Sequence, residues 1–178
     1  MLKLIIKGVQ PYSQYEASLS KRGIKSACGP TAIATIINYY FPTDSKPPLW
    51  IRRWYTESKT GWFGLSAGRL ARTLDRYGTS RKITKVQMWE YYMEEIDHQR
   101  PVAIKFDQWS TFNWFGNQFQ YKYHWVTGIG YEIKENRRYL IVLDHGKNKN
   151  AKKRILFDKN SPVLTMIAFT PFADRLTD

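Results

Sequence analysis

The sequence of 178 residues is poor in the side chains that build disulfide frameworks and metal sites, with one cysteine and three histidines. A single cysteine excludes an intramolecular disulfide framework and leaves a cysteine-rich zinc site without ligands. The three histidines offer little material for another metal site, so the sequence predicts no metal and no cofactor. Residues 1–9 are too short and too charged for a signal peptide or a membrane span. This favours a cytoplasmic location and leaves export by another route open.

Acidic residues are also scarce, since 15 Asp and Glu stand against 28 Lys and Arg and give a formal net charge of +13. Such a charge attracts anionic partners, among them acidic polymers, lipid headgroups, nucleic acid and acidic substrates. The basic residues are scattered, which is also typical of a solvated surface. The chain carries no RRM, KH or zinc-knuckle signature, so nucleic acid is not favoured. The oligomeric state is not indicated.

The patterning predicts helices first and a run of antiparallel strands afterwards, which is the order of an α+β fold with N-terminal helices packed on a C-terminal sheet. A length of 178 residues and a hydrophobic fraction of 43% indicate one globular domain over residues 1–178. Glu135 and Asn136 mark a hairpin turn. Helices are predicted at 28–41, 49–55, 67–77 and 86–95, and strands at 102–106, 123–133, 139–144, 154–157 and 164–169. Residues 1–9 are predicted to form a first strand or an N-terminal arm.

The single cysteine, Cys28, begins a predicted helix. Pro30 suits the first helical turn, where its missing N–H has no intrahelical partner. The residues that follow are apolar nearly all round, which indicates a buried helix. A thiol at a helix N-terminus lies at the positive end of the helix dipole, which favours the thiolate. Cys28 is therefore a candidate nucleophile, and the alternative is a small buried hydrophobic residue.

His124 begins one strand of the predicted hairpin and Asp144 ends the other, so antiparallel pairing brings them close together. A one-residue bulge decides whether they share a face, and Gly128 and Gly130 are plausible sites for it. On a shared face, Asp144 would accept the imidazole N–H and the other ring nitrogen would meet Cys28. The alternatives are a core histidine and a turn-forming aspartate.

Three short motifs follow one another along the chain: Cys28-Gly29-Pro30, then His124 with Val126-Thr127-Gly128-Ile129-Gly130-Tyr131, then Val142-Leu143-Asp144. Their order and spacing resemble the peptidase C39-like family of papain-fold cysteine peptidases. Arg100-Pro101-Val102 is similar to that family's entry to the central strand, and the resemblance runs from about Val9 to Phe169. It implies a papain-like fold, a Cys-His-Asp triad, an acyl-enzyme intermediate and a peptide or other amide substrate.

The resemblance also implies an oxyanion hole, to which the family contributes a glutamine a few residues before the cysteine. Arg22 stands where that glutamine is expected. Pro11-Tyr12-Ser13-Gln14 resembles the family's P-Y-x-x-Q segment, which assigns the role to Gln14, with Gln10 as the fallback. Residues 16–25 would then be an insertion before the cysteine. The second donor is the backbone N–H of Cys28.

Two further features bear on the resemblance. Asp144 is followed by His145, where the family often has proline. Residues 64–68 match G-x-S-x-G, the nucleophile elbow of α/β-hydrolases, which requires a strand before the serine. The preceding residues are too short and too rich in glycine for such a strand. We therefore interpret Ser66 as the cap of the helix that follows, with Gly78 as its C-terminal stop.

Aromatic residues crowd the loop before His124, and such loops shape specificity. We predict that Trp109, Trp114 and Trp125 contact the substrate. The first hypothesis is a cysteine peptidase or amidase. The same triad could transfer the acyl group to an amine. The remaining hypotheses are a basic module that binds an anionic polymer with the thiol unused, and a nucleic-acid binder whose aromatic rings stack on bases.

Overall fold

The computed structural model describes residues 1–43, 46–110, 118–147 and 152–173. Its strands are β1 Leu2–Ile5, β2 Gly78–Lys82, β3 Val102–Asp107, β4 Tyr123–Lys134, β5 Arg137–Asp144, β6 Lys152–Leu156 and β7 Leu164–Pro171. Its α-helices are α1 Lys21–Lys25, α2 Cys28–Tyr40, α3 Pro47–Glu57, α4 Ala67–Leu74, α5 Met88–Asp97 and α6 Phe157–Asn160. The predicted α+β arrangement is confirmed. No helix within the described ranges is long and apolar enough to span a bilayer.

These seven strands form one antiparallel sheet, in which six follow the order β2-β7-β3-β4-β5-β6 and β1 pairs with β4. The long strand β4 lies at its centre. Its first half pairs with β3 and its second half with β1, while β5 pairs along the other side. The β4–β5 hairpin turns at Glu135 and Asn136, both of which have positive φ. The hairpin is confirmed, and it brings the start of β4 beside the end of β5.

Helices cover both faces of the sheet. Ile104 and Phe106 of β3 belong to a core cluster that includes Tyr92 of α5. Ala103, directly before Ile104 in the strand, belongs to a second cluster with residues of α2, α3 and α4. Because successive side chains of a strand point to opposite faces, the two clusters lie on opposite sides of the sheet.

The helix that begins at Cys28 is buried as predicted, since its residues from Cys28 to Ile37 are all buried. Two threonines in this segment keep their hydroxyls satisfied inside the helix. Thr31 donates to the Ala27 carbonyl at 2.8 Å, and Thr35 donates to the Thr31 carbonyl at 2.9 Å. The helix ends at Tyr40, close to where Pro42 forbids its continuation.

The region after Ser66 differs in part from the prediction. Ser66 caps α4 as expected, since its hydroxyl accepts from the Arg69 N–H at 3.4 Å. The helix ends early, at Leu74, and Gly78 begins β2 instead of stopping a helix. A Cβ on Gly78 would lie 2.1 Å from the Thr170 carbonyl oxygen. The glycine is therefore needed for close strand pairing, which a pattern search for helix ends does not reveal.

Gly29 supplies a first test of the packing. A Cβ at this position would lie 2.7 Å from Cβ of Leu65 and 3.2 Å from Cδ1 of Trp125. We expect Gly29→Ala to destabilise the protein by about 1–3 kcal/mol through overpacking. Gly68 in α4 is the matched control, since its Cβ would meet nothing within 4 Å. Gly68→Ala should stabilise by about 0.5–1 kcal/mol because alanine favours the helix.

Urea unfolding of both variants measures these changes. Equal free energies of unfolding for Gly29→Ala and the parent protein would contradict the close approach of α2 to Leu65.

Candidate active site

A β-bulge determines which face of the sheet Asp144 occupies. The register between β4 and β5 shifts by one residue between Gly128 and Gly130, which leaves Ile129 unpaired. If the register of the hairpin continued without the shift, Asp144 would lie opposite Thr127. These two glycines are the bulge sites that the sequence pattern offers.

With the bulge in place, Asp144 lies opposite Val126. Side chains two residues apart in a strand share a face, so His124 lies on the same face as Val126 and Asp144. The two side chains meet there, with His124 Nε2 at 2.8 Å from Asp144 Oδ1. A single extra residue in β4 thus creates the pair.

Cys28 lies close enough to His124 for hydrogen bonding and charge to raise the pKa of the imidazole. Since Nε2 is bonded to Asp144, the ring nitrogen that remains for the thiol is Nδ1. Burial lowers the pKa of His124, but the hydrogen bonds to Asp144 and Cys28 and their charges outweigh it and raise the pKa to about 9. The imidazole is therefore protonated at neutral pH, which suits a thiolate–imidazolium pair.

The Asp144 carboxylate accepts from four groups. His124 and the Gly146 N–H, at 3.0 Å, share Oδ1. The Tyr121 hydroxyl at 2.8 Å and the Lys153 ammonium at 2.5 Å share Oδ2. Burial raises the pKa of Asp144, but the hydrogen bonds from His124, Lys153 and Tyr121 hold it well below its usual range. The group is an anion throughout the neutral range.

Of the two candidate glutamines, Gln14 is buried and Gln10 is exposed. Gln14 opens a 3₁₀ turn that packs against α2. Its Nε2 donates to the Ile24 carbonyl at 3.0 Å, and an amide nitrogen carries a second hydrogen that this bond does not use. Its Oε1 is buried and has no partner among the described residues. The predicted insertion, residues 16–25, contains α1, and the Ile24 carbonyl of that helix is the group that holds the Gln14 amide.

His145 joins the segment of Gln14 to the strand that carries Asp144. Its ring nitrogens lie 3.1 Å from the Tyr12 carbonyl oxygen and 3.0 Å from the Thr127 hydroxyl. Its own carbonyl accepts from the Gln14 N–H at 2.9 Å. Burial lowers the pKa of His145 to about 4, with the Tyr12 carbonyl opposing the shift. A neutral imidazole therefore fits this position, donating to Tyr12 and accepting from Thr127.

A cleft of about 450 Å³ opens beside these residues. Ser26, shortly before the cysteine, and Tyr123, directly before His124, both line it. Its rim carries three strongly exposed rings: Trp109 at 57%, Trp62 at 72% and Phe63 at 95% exposure. Such exposure of bulky apolar groups in one place is typical of a binding surface.

The three tryptophans expected at the substrate lie in different environments. Trp109 lines the cleft. Trp125 has no exposed surface, packs in the core beside α2, and donates its Nε1–H to the Leu65 carbonyl at 2.8 Å. A side chain buried in this way cannot contact a substrate, so the prediction for Trp125 is wrong. Trp125 follows His124 directly in the strand, and its side chain therefore points to the opposite face, where it packs in the core. Trp114 lies outside the described residues.

The alternative nucleophile, Ser66, is not at the end of a strand. Residues 58–66, all described, contain only a bridge between Gly61 and Gly64. The hydroxyl caps α4, which explains the serine without catalysis. Among the described residues, no three His, Cys, Asp or Glu side chains are grouped so as to hold a metal ion.

The model of the family described as "Peptidase_C39 like family" matches residues 6–167. This chain belongs to the peptidase C39-like family. A C39-like peptidase from Bacillus anthracis has a similar structure, with a TM-score of 0.68, 16% identity, and coverage of 97% of this chain and 99% of that one. The peptidase domain of Streptococcus ComA, a bifunctional ABC transporter in a quorum-sensing pathway, has a TM-score of 0.54 and 14% identity.

The ComA comparison covers 90% of this chain and 98% of that domain. Among curated proteins there is no match. Together the structural likenesses show that this C39-like chain has the papain-like fold expected from its motifs. At these low identities the structural likenesses support the fold, and the chemistry has to be argued from the residues of the site.

Sequence reasoning missed several groups around the site of this C39-like chain. Tyr121 was visible only as one of many aromatic residues before His124. His145 appeared only as a departure from proline. Nothing in the sequence distinguishes Lys153 from the neighbouring basic residues Lys152 and Arg154. Trp62 and Phe63 lie in a segment that was recognised as a loop and given no role.

The two histidines predict a stability maximum near pH 6.5. An unfolded histidine titrates near 6.5, whereas folded His145 titrates at about 4. The unfolded state therefore binds more protons between pH 6.5 and 4, and stability falls on acidification, by about 3 kcal/mol for a shift of this size. Folded His124 keeps its proton up to about pH 9, so its contribution is lost as pH rises from 6.5 to 9.

Urea unfolding between pH 4 and 9 tests this profile. His145→Gln should flatten the acid limb alone, and His124→Gln should flatten the alkaline limb alone. An acid limb unchanged in His145→Gln would exclude the buried neutral imidazole as its cause.

Proposed function

We propose that this chain is a cysteine peptidase or amidase in which Cys28, His124 and Asp144 form the catalytic triad. One observation carries the proposal: Asp144 binds the His124 imidazole at 2.8 Å, and the only cysteine, at the start of a buried helix, raises the pKa of that same imidazole. Membership of the C39-like family and the papain-like fold support a peptidase.

In acylation, the Cys28 thiolate attacks the carbonyl carbon of an amide bond, and the carbonyl oxygen becomes an oxyanion. The His124 imidazolium donates its proton to the amide nitrogen as the carbon–nitrogen bond breaks, so that the amine leaves and a thioester remains. In deacylation, neutral His124 takes a proton from water, which attacks the thioester. The acid leaves, and the thiolate–imidazolium pair is restored. Asp144 holds the ring throughout.

Two N–H groups are suited to stabilise the oxyanion. No side chain caps the first turn of α2, which leaves the backbone N–H of Cys28 suited to donate to the oxyanion. The second hydrogen on Nε2 of Gln14 is the other proposed donor, because the first is held by Ile24. His145 keeps the Gln14 backbone against the end of β5. Donors preorganised in this way stabilise the charge that develops in the transition state.

We propose that the cleft beside Cys28 receives side chains of a peptide substrate. Trp109, Trp62 and Phe63 offer apolar surface at its rim. Lys25 and Asp107 both line the cleft, so the preference for a substrate with acidic residues rests on the net charge of +13 of the chain. The guanidinium of Arg22 lies 3.4 Å above the Trp62 ring and holds it in place.

The proposed nucleophile can be tested by substitution and by alkylation. Cys28→Ala should abolish amide hydrolysis and leave the circular dichroism spectrum and the melting temperature close to those of the parent. In the parent, iodoacetamide should label Cys28 at pH 6, and in His124→Ala the rate should fall by about tenfold or more because the imidazolium no longer stabilises the thiolate.

Labelling is read by mass spectrometry, and one cysteine makes the modified site unambiguous. Ser66→Ala is the matched control and should hydrolyse substrate at the parent rate. Hydrolysis that persists in Cys28→Ala would rule out the triad. Slow labelling of Cys28 in the parent at pH 6 would favour a binding module instead.

The second prediction concerns the cleft. Once a peptide substrate has been found by screening a peptide library, Trp109→Ala should raise its KM by about fivefold or more, since burying an aromatic ring contributes on the order of 1–2 kcal/mol. Phe172→Ala removes another exposed ring, 40% exposed, that does not line the cleft. It should leave KM unchanged. Equal KM values for both variants would place the substrate elsewhere.

A further inference from the structure

Lys153 reaches the side of the Asp144 carboxylate that faces away from His124. Its ammonium lies 2.5 Å from Asp144 Oδ2 and 3.2 Å from the Tyr121 hydroxyl oxygen. The Tyr121 ring in turn lies 4.8 Å, between centroids, from the imidazole of His124. The lysine therefore contacts the proposed triad at Asp144, and the tyrosine contacts it at Asp144 and His124.

The strand register places these groups in one row. Lys153 of β6 lies opposite Val142, which shares a face of β5 with Asp144 two residues later. Asp144 shares that face with His124 of β4. Neighbouring strands thus carry a cation, an anion and an imidazole in succession across the sheet. Lys152 lies opposite Leu143 and points to the other face.

We propose that Lys153, together with Tyr121, is a positioning residue of this site: it orients the Asp144 carboxylate and limits the negative charge that stabilises the His124 imidazolium. The proposal rests on the proposed function, since it assigns these residues to the same triad.

The orientation follows from how the carboxylate oxygens are shared. A carboxylate beside a histidine can rotate and offer either oxygen. Here both strong outer donors, Tyr121 and Lys153, bind Oδ2, and the Gly146 N–H binds Oδ1 beside His124. Twisting the carboxylate plane would break the two outer contacts together, so the plane is held with one oxygen directed at the ring. Burial and the hydrogen bond to Asp144 raise the pKa of Tyr121, which therefore remains a donor.

The charge effect follows from Coulomb attraction. A lone buried carboxylate would stabilise the imidazolium strongly, and His124 would release its proton to the leaving amine less readily. The ammonium beside Asp144 offsets part of that field. The other titratable groups near His124 are Cys28 from α2, Tyr121 and Tyr123 from its own segment, His145 after β5, and the Lys105–Asp107 pair of β3 with its 2.6 Å contact.

The test measures the titration midpoint of His124 by NMR of ¹⁵N-labelled imidazoles at low salt. Lys153→Met should raise that midpoint by about 0.5–1 pH unit, the size expected for removing one charge at this range. Lys153→Arg keeps the charge and should restore the parent midpoint. Lys152→Met, which removes an equal charge from the other face, should leave it unchanged.

A folded Lys153→Met protein with the parent midpoint would overturn the proposal, as would an equal rise in Lys152→Met. If Lys153→Met does not fold, Lys153→Gln replaces it with the same expected rise. Tyr121→Phe keeps the ring and removes the donor, and it should raise the midpoint by a smaller amount.

The NMR titration needs no substrate, so its outcome is separate from that of the proposed peptidase function. Where hydrolysis is measurable, the alkaline limb of kcat/KM should move upward with the NMR midpoint in Lys153→Met. A limb that stays in place would show that Lys153 acts on His124 without acting on the reaction, which also overturns the positioning role.

Discussion

The extra residue at Ile129 is the constraint on which the site depends. Side chains alternate along a strand, so a shift of one residue moves every later partner to the other face of the sheet. Without the bulge, Asp144 would turn away from His124, and the contacts of Tyr121 and Lys153 with its carboxylate would be lost with it. Residues that are far apart in sequence acquire a common role because β4 contains one residue more than its partner requires.

The site contains two histidines whose pKa values move in opposite directions for stated reasons. His124 is held by an anion and a thiol, and these outweigh its burial. His145, next to Asp144 in sequence, is buried between a carbonyl and a hydroxyl, where a proton on both nitrogens is unfavourable. One imidazole is therefore suited to the proton transfers of the proposed mechanism, while the other joins the Gln14 segment to the sheet.

The helix that begins at Cys28 connects the core to the proposed chemistry. Its first ten residues are buried, and Gly29 lets its start approach Leu65 and Trp125 closely. This packing gives the thiol a rigid support. The aromatic cleft lies on the more exposed side of the same helix start, next to Ser26. Rigid support on one side and an open groove on the other suit the role of nucleophile proposed for Cys28.

The sequence by itself determined the local features of this protein. The helix at Cys28, its burial, the β4–β5 hairpin, the cap at Ser66, the α+β class and the C39-like family all follow from residues close together in the chain or from their order. These features depend on periodicity, capping and turn chemistry, which act over a few residues.

The tertiary structure decided what depends on register and on distant neighbours. It decided that Asp144 faces His124, that Trp125 is buried and Trp109 is not, that Gly78 begins a strand, and that Lys153 binds the carboxylate. Each of these depends on which strand lies beside which, and on a shift of a single residue in their pairing. A hydrophobic pattern cannot encode that shift, because bulged and regular strands show the same alternation locally.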